Sequence, residues 1–202
     1  MEKAVDVTGM DYVQYRQLVE EKWNAGEATG ENHSESMLNF TLMNMQRMKR
    51  WDKTAKLSDV MLERVGNLKK RYLWVVLTEG WCGDAAHNIP VLAKIAEASE
   101  NIELRLILRD KYLNIMDKHL TNGGRSIPKL IATDKTTGDE LGNWGPRPEP
   151  AQKLMLDYKK DPSPDKLSYS EFAKQIQLWY ARDKAATIQN EFMGLLNKWE
   201  GE

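Results

Sequence analysis

Cys82 is the single cysteine of the chain. It stands in Trp81-Cys82-Gly83-Asp84-Ala85, directly after the apolar run Tyr72-Leu73-Trp74-Val75-Val76-Leu77-Thr78. That run reads as a buried parallel strand, and the stretch after it, with Ile89, Leu92, Ala93 and Ala96, reads as a helix. A thiol at such a turn lies at a helix N-terminus, where free N–H groups and the helix dipole favour the nucleophilic thiolate. The chemistry open to it is attack on a disulfide, a glutathione adduct or a sulfenic acid. Its position predicts a pKa below the reference of about 8.5. Two flanking carboxylates, Glu79 and Asp84, pull the other way. A Cys-x-x-Cys dithiol needs a second thiol at position 85, and alanine stands there. Any adduct must therefore be resolved by an external thiol. A natural alanine and one introduced to trap mixed disulfides read alike at this position. His87 is five residues past Cys82, about 140° round a helix, which suits a surface residue better than a base acting on the thiol. The three histidines have no zinc-ligand spacing, and the residues call for no metal or other cofactor.

Features in a fixed order surround this turn. Pro90 lies eight residues past Cys82, and Leu92, Ile95 and Ala96 complete a Pro-x-Leu-x-x-Ile-Ala pattern. A second strand-like run covers residues 102–108, followed by Ser126-Ile127-Pro128-Lys129-Leu130-Ile131. A hairpin comes next, turning at Lys135-Thr136-Thr137-Gly138 into Glu140-Leu141-Gly142. This set resembles the thioredoxin superfamily over residues 71–158. The resemblance implies an α/β thioredoxin-like fold: a mixed four-stranded sheet in order 2-1-3-4, helices on both faces, and helical extensions at both ends. It also implies that Pro128 is cis and faces Cys82, with the Ile127 backbone offered to an extended peptide. Trp81, Gly83, Asp84 and Ala85 would border the substrate. Trp144, in a loop at the same end of the sheet, either joins Trp81 in an apolar rim or packs under the proline-rich turn. Arg125 either places a cation near Cys82 or is a solvated loop charge. Val76 stands where many thioredoxins carry a buried acid that serves the second thiol, in keeping with a site not tuned for dithiol chemistry.

The activity implied is that of a thiol–disulfide oxidoreductase relative. Cys82 is the nucleophile, and the partner is a protein disulfide or thiol, with glutathione a further candidate. Two alternatives stay open: a non-catalytic peptide-binding module on the Pro128 groove, and a single-cysteine redox sensor.

Other elements must hold this turn in place. Residues 11–23 put Tyr12, Tyr15, Leu18 and Val19 on one helical face, and Gly26 and Gly30 end that helix. Residues 36–51 carry Leu38, Leu42, Met45 and Met48 at core spacing. Ser58 caps a third helix with Met61, Leu62, Val65 and Leu68. Past the hairpin, Gly145-Pro146-Arg147-Pro148-Glu149-Pro150 is a stiff turn whose prolines open a helix reaching residue 158. A linker at 161–165 precedes Ser168-x-x-Glu171, a capping box that starts one long helix through Phe172, Trp179, Phe192 and Trp199. The divisions are thus an N-terminal extension (1–70), a core (71–160) and a linker with C-terminal helix (161–202), in one unit. The 202 residues carry a formal net charge of −1, which gives no sign of a nucleic-acid partner. The longest apolar run, residues 72–77, is far short of a membrane span. The first six residues lack the apolar stretch of a signal peptide, and one cysteine permits no internal disulfide. Both point to the cytoplasm. Oligomeric state is left open.

Overall fold

The computed structural model describes residues 8–202, so the reading of the first six residues lies outside the described range. The sheet is built around the most apolar stretch. Tyr72–Thr78 (β1) pairs in parallel with Ile102–Leu108 (β2) on one side and antiparallel with Lys129–Asp134 (β3) on the other. Glu140–Trp144 (β4) forms the far edge, giving the expected order β2-β1-β3-β4. A strand covered on both faces has to be apolar on both, which is why residues 72–77 show no alternation.

Three helices precede the sheet. Tyr12–Asn24 (α1) is closed by a capping box between Asp11 and Gln14. Glu35–Thr54 (α2) packs along Gly83–Glu97 (α4), and Asp59–Gly66 (α3) is capped by Ser58, whose Oγ accepts from the Met61 amide at 3.2 Å. Ahead of α1, Met10 exchanges two backbone hydrogen bonds with Leu106 and covers part of the β2 edge. A 3-10 turn at Arg109–Lys111 and the short helix Leu113–Met116 (α5) lead from β2 towards β3. Glu149–Lys160 (α6) follows β4, with Pro150 in its first turn.

The C-terminal extension differs from expectation. It is two helices, Tyr169–Asp183 (α7) and Ala186–Glu200 (α8), separated by Lys184 and Ala185 in the left-handed region (φ 52° and 65°). Neither residue is the glycine that normally marks such a reversal. The reversal returns α8 to the sheet, where Phe192 and Trp199 stand 5.1 and 6.3 Å from the Trp74 ring. The last helix is therefore part of the core. Meanwhile α7 lies over α4, on the side where Cys82 sits.

Candidate functional site around Cys82

Cys82 is the N-cap of α4, at the C-terminal end of β1. The turn that delivers it is held from outside the core. The Gly80 amide donates to Thr29 Oγ1 at 2.8 Å, and Asn44 Nδ2 donates to the Gly80 carbonyl at 3.0 Å. A Cβ on Gly80 would stand 3.0 Å from Val19 of α1, so a side chain there would have to push that valine aside. One residue further on, Trp81 is partly buried and carries the Arg109 guanidinium 5.0 Å over its ring.

The sulfur lies against the loop before β3. The Ile127–Pro128 peptide is cis, both residues are buried, and the Cys82 thiol donates to the Ile127 carbonyl at 3.2 Å. Pro128 is pressed in turn by Gly145 (φ 111°), where a Cβ would stand 2.2 Å from the Pro128 carbonyl oxygen. Only glycine fits there.

The expected low thiol pKa is not what this geometry gives. Cys82 is 8% exposed, and burial pushes its thiol up to about 12, with the Asp84 charge adding to the rise. The Ala85 amide, 3.5 Å from Sγ, and the charge of Arg147 oppose that rise without overcoming it. The helix-start argument fails because it presumes a solvated thiol, and desolvation outweighs the few amides present.

Beside the thiol, beneath α7, lies an ionic cluster. Asp84 pairs with Arg147 Nη2 at 2.6 Å and accepts from the Tyr180 hydroxyl at 3.0 Å. Burial pushes the Asp84 carboxyl up, while Arg147 and Tyr180 pull it down. Arg147 comes from the proline-rich turn after β4 and also donates to Gln152 at 2.9 Å. Neither Arg147 nor Tyr180 stood out in the sequence. The only hint at Arg147 was a charge fixed between two prolines. Ala85, at the position of a resolving thiol, is also fully buried.

His87 departs from the surface placement expected of it. It is 8% exposed and stacked on Tyr180 with ring centroids 4.3 Å apart. Its Nδ1 accepts from the Trp51 indole at 2.7 Å, which places the ring proton on Nε2, facing Gln177 Oε1 at 2.5 Å. Burial, reinforced by the charges of Arg47 and Arg50, lowers its pKa to about 4. Its role is to join α2, α4 and α7.

The remaining candidates divide. Trp144 does not form an open rim: its ring packs 5.4 Å from Phe192 and its indole donates to Glu191 at 2.6 Å. The reversal at Lys184–Ala185 brings α8 over it, which accounts for the difference. Arg125 is exposed and forks onto Asp117 at 2.6 and 2.9 Å, so it is a loop charge. Glu79, read only as a flanking charge, is fully buried, and its Oε1 accepts from the Asp110 amide at 3.1 Å. Burial raises its pKa. Among the described residues no three His, Cys, Asp or Glu side chains gather to hold a metal, and no helix is long and apolar enough to cross a membrane.

Two solved structures share this architecture. One is the crystal structure of an HIV epitope scaffold, 18% identical, aligned over 96% of this chain and 99% of that one with a TM-score of 0.55. The other is a Pseudomonas aeruginosa protein of unknown function, 19% identical over 95% and 98% of the two chains, also with a TM-score of 0.55. At such identity the likeness is one of fold. No curated protein matches the chain. A family model described as thioredoxin matches residues 30–162, from before α2 to just past α6. That span takes in Cys82, Pro128 and the whole sheet, and the chain belongs to the thioredoxin family.

Proposed function

We propose that this protein is a single-thiol member of the family, in which Cys82 forms mixed disulfides with a protein partner once the cover over it opens. The observation behind this reading is the Cys82 sulfur 3.2 Å from the Ile127 carbonyl, beside the buried Pro128. The thiol thus rests on the stretch of backbone that an extended partner strand would pair with. In the closed state it is a protonated donor. The reaction requires that it lose this proton to solvent. The Cys82 thiolate then attacks one sulfur of the partner disulfide, the S–S bond breaks, and the other sulfur leaves as a thiolate that takes up a proton. Because Ala85 offers no second thiol, an external one must attack the mixed disulfide, restore Cys82 and carry away the oxidation. Glutathione or a partner cysteine in a reducing compartment such as the cytoplasm meets that need.

A second reading, a binding module that never turns over, is favoured by the burial of the thiol and its raised pKa. Incubation with oxidised glutathione and with a peptide disulfide, followed by mass spectrometry, separates the two. Mixed-disulfide chemistry expects an adduct on folded protein that is absent in Cys82→Ser. It also expects the rate to level off at high reagent concentration, where opening of the cover limits it. If the urea-unfolded chain reacts and the folded protein does not, thiol exchange is refuted and the binding module stands.

A further inference from the structure

A cavity of about 140 Å³ lies between α2, α4 and α7, lined by Arg47, Arg50, Trp51, His87, Gln177 and Ala181. The hydrogen-bond inventory around it is one-sided. The indole of Trp51 and both nitrogens of His87 are used on each other and on Gln177. With its carbonyl oxygen accepting from His87, Gln177 keeps its amide N–H groups to offer. Arg47 gives one nitrogen to Asn44 at 2.8 Å. The Arg50 side chain makes no hydrogen bond or ion pair among the described residues. Among the described residues no carboxylate lines the space, and the nearby Asp84 is engaged by Arg147 and Tyr180, its charge reaching Arg47 only as a further interaction. The spare capacity is therefore mainly that of donors, and two of them are cations on adjacent turns of one helix face.

Two of these donors also lie close to one another. Arg47 Nη1 and Gln177 Nε2 each stand 3.5 Å from the point where a Cβ on Gly83 would be. The two donors thus converge beside a residue that has no side chain. Trp51 and Ala181 supply apolar wall.

We propose that this cavity binds a small oxyanion, a carboxylate or phosphate group held by Arg47, Arg50 and the Gln177 amide with its apolar part against Trp51. Guanidinium groups recognise both anions through paired N–H donors. The site is lined by α2, α4 and α7, with no part of the Pro128 groove.

Titration of the full chain with inorganic phosphate and, separately, with propionate tests this, with sodium chloride holding the ionic strength constant. The Trp51 indole N–H and the Gln177 side-chain amide are followed by NMR. The expected result is a saturable shift of both signals. Saturation by phosphate, by propionate or by both identifies the anion class. Arg50→Ala, at an exposed position that spares the fold, should weaken binding about 10-fold, the loss of one charge-assisted pair. Shifts that only follow added chloride, no saturation with either probe, or equal affinity in Arg50→Ala would overturn the assignment.

Discussion

Acidification should weaken this protein through His87 by an amount that a single substitution can isolate. The ring is buried, accepts from Trp51 and stacks on Tyr180, so charging it means protonating Nδ1 against the indole N–H and close to two guanidinium groups. Its pKa is lowered in the folded chain from 6.5 to about 4. The sign follows directly. Below pH 6.5 the unfolded chain takes up a proton that the folded chain refuses, so the stability His87 contributes is full above pH 6.5 and is lost as pH falls towards 4. At ~1.36 kcal/mol per pH unit, the loss comes to about 3 kcal/mol, a large share of an ordinary folding free energy. The assay is urea unfolding at several pH values for the wild type and for His87→Gln. Glutamine can still accept from Trp51 and donate to Gln177, but it cannot titrate. At pH 7 the variant should be weaker by about 1–2 kcal/mol through lost stacking and poorer hydrogen bonds. By pH 4 the wild type should have lost about 3 kcal/mol more than the variant, closing or reversing that gap. Carboxylates that titrate over the same interval are common to both proteins and cancel in the difference. Parallel stability profiles would refute the claim that a buried neutral imidazole ties α2, α4 and α7 together.

Three further outcomes follow from the site. Gly145→Ala should cost about 3 kcal/mol or more in urea unfolding, because a Cβ at φ 111° meets the Pro128 carbonyl at 2.2 Å; an unchanged midpoint would show that the loop relaxes freely. Asp84→Asn should speed alkylation of Cys82, since it removes a charge that raises the thiol pKa and leaves the Arg147 cation facing the sulfur. The same change should destabilise the fold by about 3–5 kcal/mol, as loss of one half of a buried pair does, and a slower thiol in a folded variant would contradict the electrostatics. Trp144→Ala should cost about 3–5 kcal/mol through the cavity left beside Phe192, with the alkylation rate of Cys82 in the folded protein unchanged. A selective change in that rate would return Trp144 to the site.

The strand, turn and helix that present Cys82 were legible because their signals are local: an unbroken apolar run, a capping position and helical spacing of apolar residues. Strand order came with the family resemblance. What stayed hidden depends on distant partners. His87 looked like a surface residue because Trp51 and Gln177 lie 36 and 90 positions away in the chain. The thiol looked activated because a helix start is visible in sequence, whereas the burial of Cys82 is not. The reversal at Lys184–Ala185 had no glycine or proline to announce it, and with it went the placement of Trp144.

The clamp on Gly80 bears on how such a site can be moved or inherited. Both of its peptide groups are satisfied by side chains, Thr29 from 51 positions upstream and Asn44 from 36. A strand–turn–helix segment carrying Trp81-Cys82-Gly83, grafted into another sheet, would bring the thiol without the instructions that shape its turn. Those instructions are stored in the helical region ahead of the sheet, so the smallest transferable unit reaches back at least to Thr29.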